Sequence, residues 1–178
     1  MNAIQRILAL SLLLIGSGIA QAGSPVSASR HAHPLTVLHP ATPAPTFLDL
    51  GAPGDSVGDQ RLWHFDGVTL TGAPVVMEWI MTTTRIDNSA DGKGIESRVT
   101  LGVFSFSGED HDQVLLQGVG LYPASDSTFE PDSSLVRAIV GGTGKYQGTT
   151  GDVLSRHLAD GTWRHEFRFT SPLPKKRR

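Results

Sequence analysis

Residues 61–86 read RLWHFDGVTLTGAPVVMEWIMTTTRI, two runs of strand-forming residues either side of a Thr71–Gly72 break. In the first run, Arg61–Leu70, side chains alternate. Trp63 and Phe65 share one face, His64 and Asp66 the other. In the second, Val75–Ile86, β-branched and aromatic residues occupy both parities, so both faces of that strand are expected to be covered. A subunit neighbour would supply the outer cover.

The pattern repeats in both directions from this pair. Downstream, the turn cluster DNSADGKG precedes Ile95–Phe106, with Val99, Leu101, Val103 and Ser105 on one face and Thr100, Gly102, Phe104 and Phe106 on the other. Gln113–Tyr122, Leu135–Val140, Gly151–Leu158 and Thr162–Thr170 complete the series, and Asp160–Gly161 turns the last pair. Upstream, Leu35–Leu38 reads as a first short strand. Pro40, Pro43 and Pro45 follow it, so this piece is expected at a sheet edge or merely extended. No segment sustains a helical period. About seven or eight strands at short spacing specify an all-β sandwich or barrel.

Composition narrows the classes. The chain has 178 residues, 39% of them apolar, a net charge of −2 and no cysteine. Disulfide scaffolds, thiol nucleophiles and cysteine zinc sites are excluded, as is disorder of the whole chain. One domain is expected. Residues 1–22 read as a signal peptide, with Arg6, an apolar run Ile7–Ile15 and an Ala20–Gln21–Ala22 cleavage site. The mature chain is then secreted or periplasmic, with no membrane insertion after processing. Residues 23–34 form a flexible lead-in, 35–171 the barrel and 172–178 a basic tail that ends in Lys175, Lys176, Arg177 and Arg178. The body between is acidic, which argues against nucleic acid as a partner. His31, His33 and His39 have no acidic companion in their stretch, so no metal site is expected there.

Three stretches carry more than pattern: residues 47–59 (FLDLGAPGDSVGD), residues 113–118 (QVLLQG) and residues 137–151 (RAIVGGTGKYQGTTG). In this order they resemble the allene oxide cyclase barrel superfamily, which includes plant allene oxide cyclases, plant dirigent proteins and secreted bacterial proteins. The resemblance implies a single eight-stranded antiparallel β-barrel, often a homotrimer, with a pocket at one mouth. Gly141, Gly142 and Gly144 suit positive φ at a tight corner between strands. The run lacks phosphate-loop spacing and no helical pattern follows it.

As the resemblance implies, such barrels use no cofactor. They shape a small hydrophobic molecule and stabilise charge as a ring or bond forms. The candidate catalytic residues are Arg137, Glu78 and Asp66. Glu78 lies between Met77 and Trp79, and two readings stay open: an inward carboxylate, or a solvent-facing one with Met77, Trp79 and Met81 filling the interior. Arg137 shares a face with Leu135 and Ile139. Dirigents carry a pocket arginine two residues earlier, where this chain has Leu135. The parity is the same, so Arg137 either points inward or pairs with a surface carboxylate. Asp66 shares a face with His64, and Asp126 lies in the loop that would rim a pocket. The plant cyclases' catalytic glutamate in the first strand has no counterpart in LTVLHPATPAPTFLD. No G-x-S-x-G elbow is present. Two functions stand: a pocket protein that binds a small hydrophobic or phenolic molecule and steers its cyclisation or coupling, or a non-catalytic binding or surface module.

Overall fold

The computed structural model describes residues 35–87, 94–106, 111–124 and 128–170. The signal peptide, lead-in, basic tail, His31, His33 and Asp126 lie outside these residues. The strands are β1 (Leu35–His39), β2 (Thr46–Leu48), β3 (Gln60–Thr69), β4 (Pro74–Asp87), β5 (Ile95–Phe106), β6 (Gln113–Pro123), β7 (Ser133–Gly142), β8 (Gly151–His157) and β9 (Trp163–Phe169). Each pairs antiparallel with its neighbour from β2 to β9, and β1 joins β9 on one side to β3 on the other. The sheet thereby closes as an eight-stranded barrel, with β2 as one extra strand. At this strand number the interior is just wide enough to be filled by side chains or to hold one small ligand.

The first strand departs from expectation. β1 is not an edge: it pairs with β9 from Leu35↔Phe167 to His39↔Trp163, and with β3 at Val37↔Thr69 and Leu38↔Val68. The reason lies in where it stops. β1 ends at His39, so all three prolines fall in the connection beyond it and none interrupts a ladder. The short β2 then pairs with Gln60–Leu62 of β3.

Alternation sorts the wall. Val75, Met77, Trp79, Met81 and Thr83 of β4 are buried, while Glu78 and Ile80 are exposed. β5 turns Glu96, Arg98, Thr100, Phe104 and Phe106 inward and leaves Ile95 and Leu101 exposed. One end of the barrel holds an ion network. Arg98 Nε lies 2.9 Å from Glu96 Oε2, which also accepts from Thr83 and sits 3.4 Å from Arg61 Nη1. Arg61 in turn reaches Asp55 at 2.9 Å. Asp59 staples the preceding loop by accepting from the Leu50 and Ser56 amides. The 47–59 stretch is therefore structural.

The opposite end is closed by the glycine run. A 3₁₀ turn, Gly144–Tyr146, drops the Tyr146 ring against Phe106 and Phe169. Asp112 accepts from the Lys145 amide and pairs with its ammonium at 2.8 Å. Gly144 has the expected positive φ, 55°, but Gly141 and Gly142 do not. Gly142 is required for closeness instead. A Cβ there would sit 2.6 Å from the Tyr146 carbonyl oxygen and 2.7 Å from that of Gln113.

One seam is incomplete. Among the described residues the β6–β7 ladder covers Val114–Gln117 against Ala138–Gly142 and stops at Gln117↔Ala138. Beyond it an outer groove of about 900 Å³ opens between Val119, Leu121, Leu135 and Phe129.

Gly142→Val is expected to lower stability on the order of 2–3 kcal/mol by overpacking against fixed backbone. Thermal unfolding checks this, and an unchanged midpoint would refute the close-approach account.

Candidate functional site

Arg137 sits in the middle of the barrel, 2% exposed, its parity with Leu135 and Ile139 carrying it inward from β7. Two glycines make the space. Gly118 and Gly120 of β6 face the interior, where a Cβ on Gly118 would come within 3.1 Å of Arg137 Cγ and one on Gly120 within 2.6 Å of Leu135 Cδ2. The guanidinium lies 5.0 Å over the Trp79 ring. Its Nη2 donates to the Tyr122 hydroxyl at 2.5 Å and lies 3.5 Å from Thr100 Oγ1. No carboxylate pairs with it among the described residues, and its Nε–H has no acceptor there. Burial pulls the Arg137 pKa down while the Tyr122 oxygen opposes that fall. The group remains a cation at neutral pH.

The cavity beside Arg137 is aromatic. Trp63, Trp79, Trp163, Phe129 and Tyr122 line it, with His39 and His165. About 30 Å³ is open to the centre of a water molecule, enough for roughly one or two waters. The interior is thus largely filled by aromatic rings. Thr42, Thr128 and Phe129 border the space from the β1–β2 and β6–β7 connections. Phe129 packs edge-on against Trp163 at 4.7 Å, closing the mouth with a side chain held by irregular backbone.

His39 and His165, 126 residues apart, meet Nε2 to Nε2 at 3.0 Å. Their protons can be assigned. The Pro40 carbonyl only accepts, so His39 Nδ1 carries the hydrogen directed at it, at 2.7 Å. His39 Nε2 then accepts from His165 Nε2, and His165 Nδ1 accepts from Ser155 Oγ at 2.8 Å. Both rings are neutral in this arrangement. Burial, followed by the charges of His39 and Arg137, holds His165 well below its ordinary value. Burial also lowers His39 to about 4, with the Pro40 bond opposing and His157 adding to the fall.

The carboxylate candidates lie elsewhere. Glu78 is on the outer face, its side chain 60% exposed and 3.4 Å from His64 Nδ1. Asp66 is also exposed on the outer face of β3. Both share the parity opposite to Trp63 and Trp79, and the closed barrel puts the tryptophans inside, so neither acid joins Arg137. Sequence reading did not single out Tyr122, His39 as a cavity residue, or His165. The inward parity of Tyr122 after two alternate glycines, in QGVGLY, was the available signal. Pairing of β1 with β9 was needed to bring the histidines together.

Among solved structures, the fold is similar to a pyocyanin demethylase, with a TM-score of 0.53 and 20% identity over 76% of this chain and 99% of that one. At that identity the likeness concerns the barrel fold. No family model matches the chain, and no curated protein matches it.

The histidine pair has a stability consequence. Unfolded, His39 titrates near 6.5; folded, near 4. Between these values the unfolded chain binds the extra proton, so stability falls as pH drops through the window, by about 3 kcal/mol for His39 alone. His165 acts in the same direction. Urea unfolding should show a falling midpoint already between pH 6.5 and 5, above the usual carboxylate range. A flat profile there would contradict the neutral pair.

Proposed function

We propose that the barrel binds a small hydrophobic or phenolic molecule in this cavity, its ring among the tryptophans and an acceptor oxygen at Arg137. One observation carries the reading: a cation buried at 2% exposure with no carboxylate partner among the described residues. Such a charge is costly unless a partner arrives, and a ligand oxygen supplies one. The structural neighbour is named for demethylating pyocyanin, which supports reading this barrel as one that receives a small molecule. Kinship with the cyclase and dirigent barrels rests on the sequence motifs, and with it the finer proposal. As a ring closes or a bond forms on the guest, Arg137 stabilises the negative charge that develops. Secretion or periplasmic export of the chain belongs to the same proposal and rests on residues 1–22.

A second reading, a non-catalytic binding module, draws on the aromatic filling of the cavity and on Arg137 being its one charged group among the described residues. In both readings a ring-sized guest gains room by displacing side chains at the mouth, Phe129 first.

The proposal includes a homotrimer, for which the outer wall offers a contact surface. Leu101, Val119, Leu121, Val136 and Val140 are exposed on β5, β6 and β7, which are neighbours in the sheet. A contiguous apolar face of this kind is suited to a second copy of the chain. Light scattering should give three times the chain mass, and Leu121→Lys with Val119→Lys should reduce it to one. A monomeric wild type would remove the proposal.

The chain has three tryptophans, and all three line the cavity, so their fluorescence reports on it directly. Titration with 4-hydroxybenzoate should shift the emission. Arg137→Leu should bind at least about tenfold more weakly, the loss of a charge-assisted hydrogen bond. It should fold as well as the parent or better, because an unpaired buried charge is removed. Equal affinity in that variant would overturn the assignment.

A further inference from the structure

Tyr122 is a second polar group in the same cavity, and its hydrogen bonding is half used. Its hydroxyl oxygen accepts from Arg137 Nη2 at 2.5 Å. Among the described residues its own hydrogen has no acceptor. The ring is fixed from two sides. Arg98 lies 4.6 Å over its face, and Gly120 passes so close that a Cβ would be 2.8 Å from Tyr122 Cε2 and 3.0 Å from its oxygen. Because Arg137 occupies one side of the oxygen, the O–H is directed away from the guanidinium. Tyr122 and Arg137 border the same void.

The surroundings favour negative charge at that point. Glu96, the carboxylate on this side of the interior, is held by Arg61, Arg98 and Thr83. The neighbouring His165 has both ring nitrogens engaged by His39 and Ser155. Trp79 Nε1 contributes a further N–H with no acceptor among the described residues. Arg137 Nε–H and Trp79 Nε1–H are thus donors left without an acceptor among the described residues, and one of them belongs to a full positive charge.

We infer that Tyr122 O–H and Arg137 act together as a two-donor clamp for an anionic oxygen, so the guest is a monocyclic aromatic carboxylate or phenolate rather than a neutral hydrophobe. This rests on the cavity being a ligand site and specifies its ligand class. The two donors divide the work. Arg137 supplies the charge, and Tyr122 supplies direction, because a phenol held between Arg98 and Gly120 has its oxygen fixed in place. A single aromatic ring is the guest that asks least of the wall, since the space open to a water centre is only about 30 Å³ and every further ring adds to the side chains that must be displaced.

The test compares benzoate with benzamide, its neutral counterpart of the same shape, by tryptophan fluorescence. It uses the wild type, Tyr122→Phe and Phe129→Ala. Tyr122→Phe keeps the ring under Arg98 and loses only the hydroxyl. Expected are a preference of the wild type for benzoate of at least about tenfold, and a loss of about tenfold in benzoate affinity in Tyr122→Phe, with a smaller loss for benzamide, whose carbonyl accepts only a neutral hydrogen bond. If Tyr122→Phe does not fold, the wild-type preference alone decides. Equal affinity for the two probes in the wild type, or undiminished benzoate binding in a folded Tyr122→Phe, would overturn the clamp and leave a ligand cavity of another chemistry. If neither probe perturbs the fluorescence even in Phe129→Ala, where the mouth is open, the ligand cavity itself is refuted and the clamp with it.

Discussion

Closure of the sheet falls to five residues. β1 makes a full ladder with β9 but only two residue pairs with β3, and that contact turns an open nine-stranded sheet into a barrel. Everything inside depends on it. The same strand delivers His39 to His165, and its end at His39 is what keeps the prolines out of the ladder. Without closure Arg137 would be hydrated, and the two imidazoles would titrate as ordinary histidines.

The enclosed space is polar at one end, aromatic in the middle and sealed at the other. The polar end is an ion network in which a fully buried Glu96 is shared by two arginines. Such networks add little net stability against apolar packing of the same shape, but removing one member is costly because its partners stay buried. The network fixes Arg98, and Arg98 fixes the Tyr122 ring. The sealed end depends on the 3₁₀ turn that lowers Tyr146. Burial, with Asp112 nearby, pushes its phenol up to about 12, so it stays neutral and serves as a plug. Between the two ends, Gly118 and Gly120 leave the volume that the Arg137 side chain occupies.

Strand positions were legible because period-two alternation survives wherever a wall divides two environments. β3 to β9 lie close to where alternation and turn residues place them. Parity also grouped Arg137 with Ile139 and separated Trp79 from Glu78. What alternation does not disclose is which parity is inside. β5 is the clearest case: the aliphatic series Ile95, Leu101 faces out, and Glu96, Arg98 and Thr100 face in. Hydrophobicity alone would choose the reverse. The barrel reverses it because the charges inside satisfy one another, while the aliphatics outside form the apolar face on β5 to β7. Glu78 and Asp66 were attractive as acids in apolar strands, but Glu78 between inward Met77 and Trp79, and Asp66 between inward Phe65 and Gly67, are outward by alternation. The three-residue β2 carried no alternation to read, and Gly142 served closeness where positive φ was expected. The meeting of His165 with His39 depended on the pairing of the first strand with the last, which spacing along the chain does not contain.

The short β6–β7 ladder has a dynamic consequence. Backbone hydrogen bonds hold a barrel against local opening, and the cost of opening scales with how many must break together. The β4–β5 and β5–β6 ladders run nearly the whole strand, whereas β6–β7 is paired at one end only. Breathing of the wall is therefore expected at this seam as well as at the two-pair contact of β1 with β3. Amides of β6 and β7 beyond Gln117 should exchange with solvent sooner than those of β5. The residues bordering the gap include Tyr122 and Phe129, which also line the cavity. This seam is thus a second short ladder besides the one at β1, and it lies in the part of the wall that borders the cavity, so the wall can open beside the cavity without the closure at β1 failing.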